Sequence, residues 1–288
     1  MPDPATTAPA RVAIRALLLG GAVVLTTVGA RQLLHAQARV ARKAIGKPLG
    51  EDVVPQDKVF KKRLGDPVDL LLLGDSIAAG LGAERRKHTL GGQLARRLAR
   101  RTQRAVRLRT VARVGAETSM LHEQVAALPP RYTADVAVIV VGGNDVTHRV
   151  RVADSVRELA AVVERLRAAG TEVVVGTCPD LGALRPVPQP LRALAGRSSR
   201  QLAAAQAQVV TASGGYAVSL AHVAGPYFLT RPDEMFALDR FHPSAAGYRR
   251  TAKALLPSVL AALGVADRLP FGHHPPAARG LRPGAGAG

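Results

Sequence analysis

The stretch LLLLGDSIAAGLG, Leu70–Gly82, sets four consecutive leucines directly before Gly-Asp-Ser. A short apolar run that stops at a glycine is typical of a buried strand ending in a tight turn, because glycine tolerates backbone angles that other residues resist. The small residues that follow favour a helix after the turn. This interpretation explains the leucines and the glycines, but it gives no reason for a serine, Ser76, at the turn.

Apolar runs with the character of strands alternate with helical patterns from residue 68 onward. The strands are predicted at Val68–Leu73, Val106–Ala112, Asp135–Val141, Thr171–Gly176 and Tyr216–Leu220. The helices are predicted at Leu90–Arg101, Ser119–Ala127, Ala153–Ala169, Leu191–Thr211 and Pro243–Leu263. This order predicts an α/β fold with a parallel sheet covered on both faces, in which ligands bind beyond the carboxyl ends of the strands.

Polar residues follow the first three predicted strands and precede the last predicted helix. The strand ends carry Gly74-Asp75-Ser76, Val114-Gly115-Ala116 and Gly142-Gly143-Asn144-Asp145. Asp239 and His242 lie three residues apart in the segment LDRFHPSAAGY. We therefore expect these groups to meet at one edge of the sheet.

These residue types together have the chemistry of a serine hydrolase. His242 can accept the hydroxyl proton of Ser76, and Asp239 can hold the imidazole in the required tautomer. The backbone N–H of Ser76, the side-chain amide of Asn144 and the backbone N–H of Gly115 would complete an oxyanion hole. Asp75 and Asp145 are expected to cap their turns rather than to act as the acid of the triad.

Four segments of the chain resemble the sequence blocks of the SGNH hydrolases, also called GDSL esterases and lipases. They are GDSIAAGLG at 74–82, VGAET at 114–118, GGND at 142–145 and DRFH at 239–242. The resemblance runs from about residue 68 to residue 263. The first block departs mildly from the family's pattern, because Ile77 follows the serine.

The resemblance implies a flavodoxin-like three-layer α/β/α sandwich with a five-stranded parallel sheet. It implies a carboxylesterase or lipase that cleaves short-chain acyl esters or lipid esters through an acyl-serine intermediate, with no metal and no organic cofactor. Ser76 would be the nucleophile, with Asp239 and His242 as its partners and Gly115 and Asn144 as oxyanion donors. A carbohydrate O-acetyl esterase of the same fold and a non-catalytic envelope-binding module are the alternatives.

Two further features leave less specific expectations. His148 lies close to the Asn144 turn, and we expect it at the surface. Cys178 is the one cysteine of the chain, so an intrachain disulfide is impossible and a cysteine-based metal site lacks support. We expect Cys178 to be a small buried residue rather than a second nucleophile.

The formal net charge of +19 is concentrated in one stretch. Between Ala83 and Arg113 there are eleven Lys or Arg residues and one acid, Glu84. A helix here would present one basic face, formed by Arg96, Arg97, Arg100, Arg101 and Arg104. We expect this face to be solvated or to contact an anionic membrane surface.

No nucleic-acid partner is expected, since no aromatic residue between Leu81 and Tyr132 offers a stacking surface. We expect the protein to be a monomer and to bind a small-molecule or lipid ester as its substrate.

The termini differ in character from the rest of the chain. Ala16–Ala30 is an uncharged apolar run preceded by Arg11 and Arg15, which is typical of a signal peptide or an N-terminal membrane anchor. We therefore expect residues 1–30 to export or anchor the protein at the cell envelope, with the side of the membrane left open. Residues 31–67 are expected to form a basic linker or arm, 68–264 the hydrolase domain, and 265–288 a flexible Gly-, Pro- and Ala-rich tail.

Overall fold

The computed structural model describes residues 28–46, 50 and 52–277. Seven strands occur within these residues: β1 (Lys58–Phe60), β2 (Val68–Gly74), β3 (Val106–Thr110), β4 (Val136–Val140), β5 (Glu172–Gly176), β6 (Tyr216–Val218) and β7 (His273–His274). They form one sheet in the order β1-β3-β2-β4-β5-β6-β7. Strands β2 to β6 are parallel, and β1 and β7 pair antiparallel at the two edges.

The leucine run forms the central strand, β2, which lies between β3 and β4. Leu70 and Leu72 pack into one apolar layer, and Leu71 and Leu73 pack into the layer on the other face. Successive strand residues point to opposite faces, so a strand covered on both sides needs apolar residues at every position. The four leucines therefore follow directly from the central place of β2 in a three-layer fold.

Helices cover both faces of the sheet. The described α-helices are α1 (residues 28–45), α2 (Ser76–Ala79), α3 (Leu90–Thr102), α4 (Leu121–Ala126), α5 (Gly143–His148), α6 (Val152–Ala168), α7 (Leu191–Ala212), α8 (Leu220–Val223), α9 (Gly225–Thr230), α10 (Pro232–Met235) and α11 (Ala245–Ala262). Helices α3 and α11 contribute to the layer that contains Leu70, and α4, α6 and α7 contribute to the layer that contains Leu71. The predicted elements are confirmed within a few residues at each end.

The five parallel strands lie in the order β3-β2-β4-β5-β6. Numbered by themselves along the chain, they have the order 2-1-3-4-5, which is the order of the flavodoxin-like fold. The prediction of a three-layer α/β/α sandwich is confirmed. The prediction of five strands is wrong, because β1 and β7 add an antiparallel strand at each edge. Both are only two or three residues long, and so neither has an alternating pattern that marks a strand in the sequence.

The segments on either side of the predicted domain contribute to the fold. The sheet begins at Lys58 rather than near Val68, because β1 pairs with β3. The flexible-tail prediction is wrong for the end of the described chain, where β7 pairs with β6 and the N–H of Ala277 donates to the carbonyl of Thr211 at 2.9 Å. The signal or anchor segment lies mostly outside the described residues. Among the described residues, no helix combines the length and the apolar character needed to span a membrane.

Candidate active site

Ser76 lies at the sharp turn between β2 and α2. Gly74 has φ +128°, and a Cβ at this position would lie 1.9 Å from the carbonyl oxygen of Val140, so only glycine fits. Asp75 caps α2, because its Oδ1 accepts the backbone N–H of Ile77 at 2.9 Å. Ser76 is then the first residue of a single helical turn, at the carboxyl edge of the sheet.

His242 connects Ser76 to Asp239. Its Nδ1 lies 2.6 Å from Oδ2 of Asp239, and its Nε2 lies 3.0 Å from Oγ of Ser76. A proton on Nδ1 donates to the carboxylate, which leaves Nε2 as the acceptor for the Ser76 hydroxyl. The three side chains thus have the contacts that nucleophile, base and orienting acid require.

The Asp239 carboxylate is held in its ionised form by local hydrogen bonds. Burial alone would raise the pKa of Asp239, but the His242 side chain and the N–H groups of Phe241 and His242 outweigh burial and lower it. Oδ1 accepts those two N–H groups at 3.0 and 2.9 Å. The turn is closed by the N–H of Ala237 donating to the carbonyl of His242 at 2.8 Å. The spacing DRFH therefore produces a rigid turn that fixes acid and base together.

Asn144 and Gly115 have different relations to this group. Asn144 lines the same cavity as Ser76, and its Nδ2 donates to the carbonyl of Ala116 at 2.9 Å. A primary amide has two N–H groups, so one N–H orients the side chain and the other is left for a further acceptor. Gly115 has φ +79° and lies beside Ala116 in the neighbouring turn, but it is not among the residues that line the cavity.

The other carboxylates at this edge serve the backbone. The prediction that each caps its own turn is confirmed for Asp75 and wrong for Asp145, because α5 has no side-chain cap and Asp145 reaches the neighbouring turn instead. Its Oδ2 accepts the N–H of Thr118 at 3.1 Å, and no hydrogen bond joins it to His242. Burial raises the pKa of Asp75 to about 7, against the opposing effects of the Ile77 N–H and of His242. Two buried acids thus hold the two turns that carry Ser76 and Asn144.

The remaining predicted residues lie away from the reacting groups. His148 is exposed and contacts Glu117, with Nδ1 and Oε1 2.6 Å apart. Cys178 is fully buried beside Leu202 and Ala203, which confirms its prediction as a small buried residue. Within residues 28–46 and 52–277, no group of three or more His, Cys, Asp or Glu side chains has the arrangement of a metal site.

An apolar cavity of about 80 Å³ opens beside Ser76 and His242. Its apolar wall comprises Ile77, Leu181, Ala183, Leu184, Leu220, Ala224, Phe228, Phe236 and Phe241. Phe228 and Phe236 pack edge to face with ring centroids 5.0 Å apart, and Phe241 packs likewise on the His242 ring at 4.9 Å. Three phenylalanines thus form the aromatic part of the wall.

Sequence reasoning missed several contributors to this cavity, among them Leu220 and Thr251. Leu220 begins α8 directly after β6, and Thr251 lies in the second turn of α11. The end of a parallel strand is a general signal for Leu220. Thr251 has no such signal, because it faces the cavity only through the packing of α11 against the sheet.

A serine with a histidine base and an orienting carboxylate, placed at the carboxyl edge of a flavodoxin-like sheet, defines a serine hydrolase class of protein. The family model of the GDSL-like lipase/acylhydrolase family matches residues 72–250. The chain therefore belongs to this family, and it is a serine hydrolase that cleaves esters.

Similar proteins agree with this assignment. A GDSL-like esterase of Mycobacterium tuberculosis, Rv1075c, is 40% identical over 289 residues, which cover 93% of this chain and 90% of the relative. The psychrotrophic esterase EstA of Pseudoalteromonas has a TM-score of 0.54 at 17% identity, covering 68% of this chain and 98% of that one. A variant of the acetyl xylan esterase Axe2 of Geobacillus stearothermophilus has a TM-score of 0.53 at 18% identity, covering 72% and 99%. These two identities are low, so they bear on the fold alone.

Proposed function

We propose that Ser76, His242 and Asp239 form the catalytic triad of this esterase. The observation that carries the proposal is the continuous chain of contacts, 3.0 Å from Ser76 Oγ to His242 Nε2 and 2.6 Å from His242 Nδ1 to Asp239. Oγ of Ser76 attacks the ester carbonyl carbon while Nε2 of His242 takes the hydroxyl proton. The ionised Asp239 stabilises the imidazolium that forms.

The intermediate collapses by returning that proton to the leaving alcohol, which leaves the acyl group on Ser76. Water then attacks the acyl carbon with His242 again as the base, and the carboxylic acid leaves as Ser76 regains its proton. The N–H of Ser76, the free amide N–H of Asn144 and the N–H of Gly115 are the proposed donors to the oxyanion. Because α2 is a single turn, individual N–H groups rather than a helix dipole would provide this stabilisation.

The proposed substrates are short-chain acyl esters. A cavity of about 80 Å³ holds roughly five to eight water-sized groups, so the acyl group that fits inside it has at most about eight non-hydrogen atoms, which is close to the size of a hexanoyl group. The lining is mainly aliphatic and aromatic, so an acyl chain gains more from entering it than a polar group would. The alcohol side of the ester lies toward the open mouth, where the structure sets no comparable limit.

Hydrolysis of a series of p-nitrophenyl esters from acetate to palmitate tests this proposal. We expect kcat/KM to peak at or below the hexanoate, and turnover to disappear in Ser76→Ala while the fold is retained by circular dichroism. A peak at the long esters would contradict the proposed chain length. Turnover that survives in Ser76→Ala would contradict the proposed nucleophile.

The carbohydrate O-acetyl esterase stays an alternative within the same chemistry, since an acetyl group also fits the cavity. Only nine of the 288 residues are Phe or Tyr and none is Trp, so an extended platform for stacking sugars has little basis in the composition. Hydrolysis of acetylated xylan oligosaccharides faster than of p-nitrophenyl acetate would favour it. A non-catalytic module has less support, because the contacts of a triad are intact.

Association with the cell envelope is the second part of the proposal. Its main support is the apolar run of residues 16–30, to which the basic face on α3 adds charge without exposed apolar side chains. Arg100 and Arg101 of this face are exposed, whereas Arg96 and Arg97 are half-buried. The prediction that Arg104 shares the face is wrong, because α3 ends at Thr102 and Gln103 turns the chain away with φ +53°. Fractionation of cells that express the full-length chain tests the location: recovery in the membrane or secreted fraction supports it, and recovery in the cytosol contradicts it.

A further inference from the structure

Helix α1 packs into an apolar cluster at the active-site mouth. Ala41 is buried in one apolar cluster with Leu181 and Leu184, which line the cavity. Phe236 and Phe241, from the turn that carries Asp239 and His242, pack against the same cluster. The helix is therefore part of the structure around the reacting groups, although twelve residues separate its end from the first strand of the sheet.

Gln37 adds polar contacts between α1 and the segment that precedes α7. Its Oε1 accepts the backbone N–H of Leu191 at 3.0 Å, and its Nε2 donates to the carbonyl of Gln189. These bonds set the rotation of α1 about its axis. The side chains on its outer surface consequently have defined directions relative to the mouth.

The outer surface of α1 has two distinct sectors. The docked face is formed by Leu34, Gln37, Ala38, Ala41 and Ile45, which recur at helical spacing. Leu33 and Val40 lie one heptad apart beside this face, and they are 49% and 55% exposed. The next sector carries exposed cations: Arg31, Arg39, Arg42 and Lys43.

We infer that this outer surface of α1 binds an anionic lipid bilayer. A helix with an exposed apolar stripe next to a row of Lys and Arg has the composition of an interfacial helix, whose apolar side chains enter the acyl boundary while its cations contact anionic headgroups. The apolar run of residues 16–30 leads directly into α1, so its insertion would bring this surface to the membrane.

Membrane binding by α1 goes beyond the proposed function, and its consequence for substrate access rests on that function. Because α1 shares an apolar cluster with residues that line the mouth, binding of α1 places the mouth next to the bilayer. Esters that partition into the bilayer would then reach Ser76 without crossing bulk water. The partner of α1 is an anionic phospholipid surface. The substrates whose hydrolysis becomes faster are amphipathic acyl esters, because they collect in that surface.

The basic face of α3 provides the matched comparison. The leucines of α3, Leu90, Leu94 and Leu98, are all fully buried, so its outer surface offers charge without an apolar stripe. Arg104, which lies beyond the end of α3, donates to the carbonyls of Asp66 and Pro67. Charge alone gives weaker and more salt-sensitive membrane binding than charge together with buried apolar area.

An environment-sensitive dye on a single introduced cysteine tests the inference in the full-length chain. Burial raises the pKa of the Cys178 thiol well above its usual value, and the side chain is fully buried, so the native cysteine should not react. Val40→Cys reports on the stripe, and Arg101→Cys reports on α3. Both proteins are mixed with vesicles of phosphatidylglycerol and phosphatidylcholine.

We expect the dye at position 40 to shift to the blue and to become at least about threefold less accessible to iodide, while the dye at position 101 changes little. Equal iodide quenching at position 40 with and without vesicles would overturn the inference. Protection at position 101 alone would assign the membrane to α3 and also overturn it. Protection at position 40 that depends on protein concentration without vesicles would indicate a second copy of the chain instead.

Two sets of variants separate this inference from the proposed function. Leu33→Ser with Val40→Ser removes the stripe, and Arg100→Glu with Arg101→Glu is the control on α3. We expect the stripe variant to lose about tenfold in hydrolysis of a vesicle-embedded ester and to keep the parent rate on soluble p-nitrophenyl butyrate. An unchanged rate on vesicles would overturn the inference, whereas a parent chain inactive on the soluble ester would instead contradict the proposed function.

Discussion

His242 Nε2 lies 3.0 Å from Ser76 Oγ, although 166 residues separate the two in the chain. The contact forms because two independent turns end at one edge of the sheet. Gly74 and Asp75 set the turn after β2, and the Asp239 carboxylate sets the turn before α11. Hydrogen bonds within the chain hold both turns, so the fold itself positions the two reacting side chains.

Removal of Ser76 and removal of His242 should not have additive effects on rate. We expect Ser76→Ala and His242→Ala each to lower kcat about 10⁴-fold or more. The kcat of the double variant should lie within a few fold of the kcat of the less active single variant, because the two residues act as a unit. Steady-state kinetics on p-nitrophenyl butyrate measures this. His148→Ala, an exposed histidine at the same edge, should keep the parent rate. A double variant that loses the product of the two single effects would contradict the partnership.

Asn144→Ala should lower kcat by about 10²–10³-fold and leave KM within a few fold, because an oxyanion donor acts mainly in the transition state. Thr147→Ala, on the exposed side of α5, is the control and should have little effect. An equal loss in kcat and in binding of the substrate would instead indicate that Asn144 only shapes the cavity.

Phe228→Ala should shift the preference toward longer acyl chains, because it removes a ring from the cavity wall. The measured quantity is the ratio of kcat/KM for p-nitrophenyl octanoate to that for the acetate, which we expect to rise at least about tenfold. Leu229→Ala changes the adjacent, half-exposed residue and should leave the ratio unchanged. If Phe228→Ala unfolds, Phe228→Leu gives the same direction with a smaller shift. An unaltered ratio in folded protein would show that the acyl chain lies elsewhere.

Asp75 should make the fold less stable as pH rises. Burial raises its pKa from 3.8 to about 7, so between about pH 4 and pH 7 the unfolded chain loses a proton that the folded chain keeps. The free energy of unfolding therefore falls through this range as pH increases. Between pH 5 and pH 8 the ionisation of Asp75 should lower the free energy of unfolding of the parent by about 3 kcal/mol. Asp75→Asn cannot ionise and its side-chain oxygen can still accept the Ile77 N–H, so this variant should not show that decrease.

Urea denaturation at the two pH values measures the Asp75 effect, and Asp267→Asn serves as an exposed control. A parallel pH dependence in Asp75→Asn and the parent would show that Asp75 is ionised in the folded chain at pH 5. The outcome bears on the site as well, since the carboxyl lies next to the nucleophile in the chain and close to His242.

The parts of the molecule that follow from local pattern were predicted from the sequence. The leucine run, the five parallel strands and the polar residues at their ends each depend on burial period and turn chemistry within a few residues. The place of Ser76 and Asn144 followed because the strand ends of a parallel sheet meet at one edge. The partnership of Asp239 and His242 with Ser76 followed from the chemistry of these residue types, from the three-residue spacing before the last helix and from the family resemblance.

The parts that the sequence left out depend on contacts between distant segments. Strands β1 and β7 are too short to show a period, and they are recognised only by their pairing with β3 and β6. The docking of α1 depends on Gln37 and Ala41, whose types are common in any helix. The cavity wall at Thr251 and the position of Gly115 outside the cavity lining likewise result from tertiary packing.

The central claim is that Ser76 is a nucleophile activated by His242, and reaction with an alkyl fluorophosphonate tests it most directly. Intact-mass and peptide mass spectrometry of the full-length protein should show one covalent adduct, located on Ser76, that is absent from Ser76→Ala and forms at least about a hundredfold more slowly in His242→Ala. An adduct on another residue, or unchanged labelling of Ser76 in His242→Ala, would contradict the account.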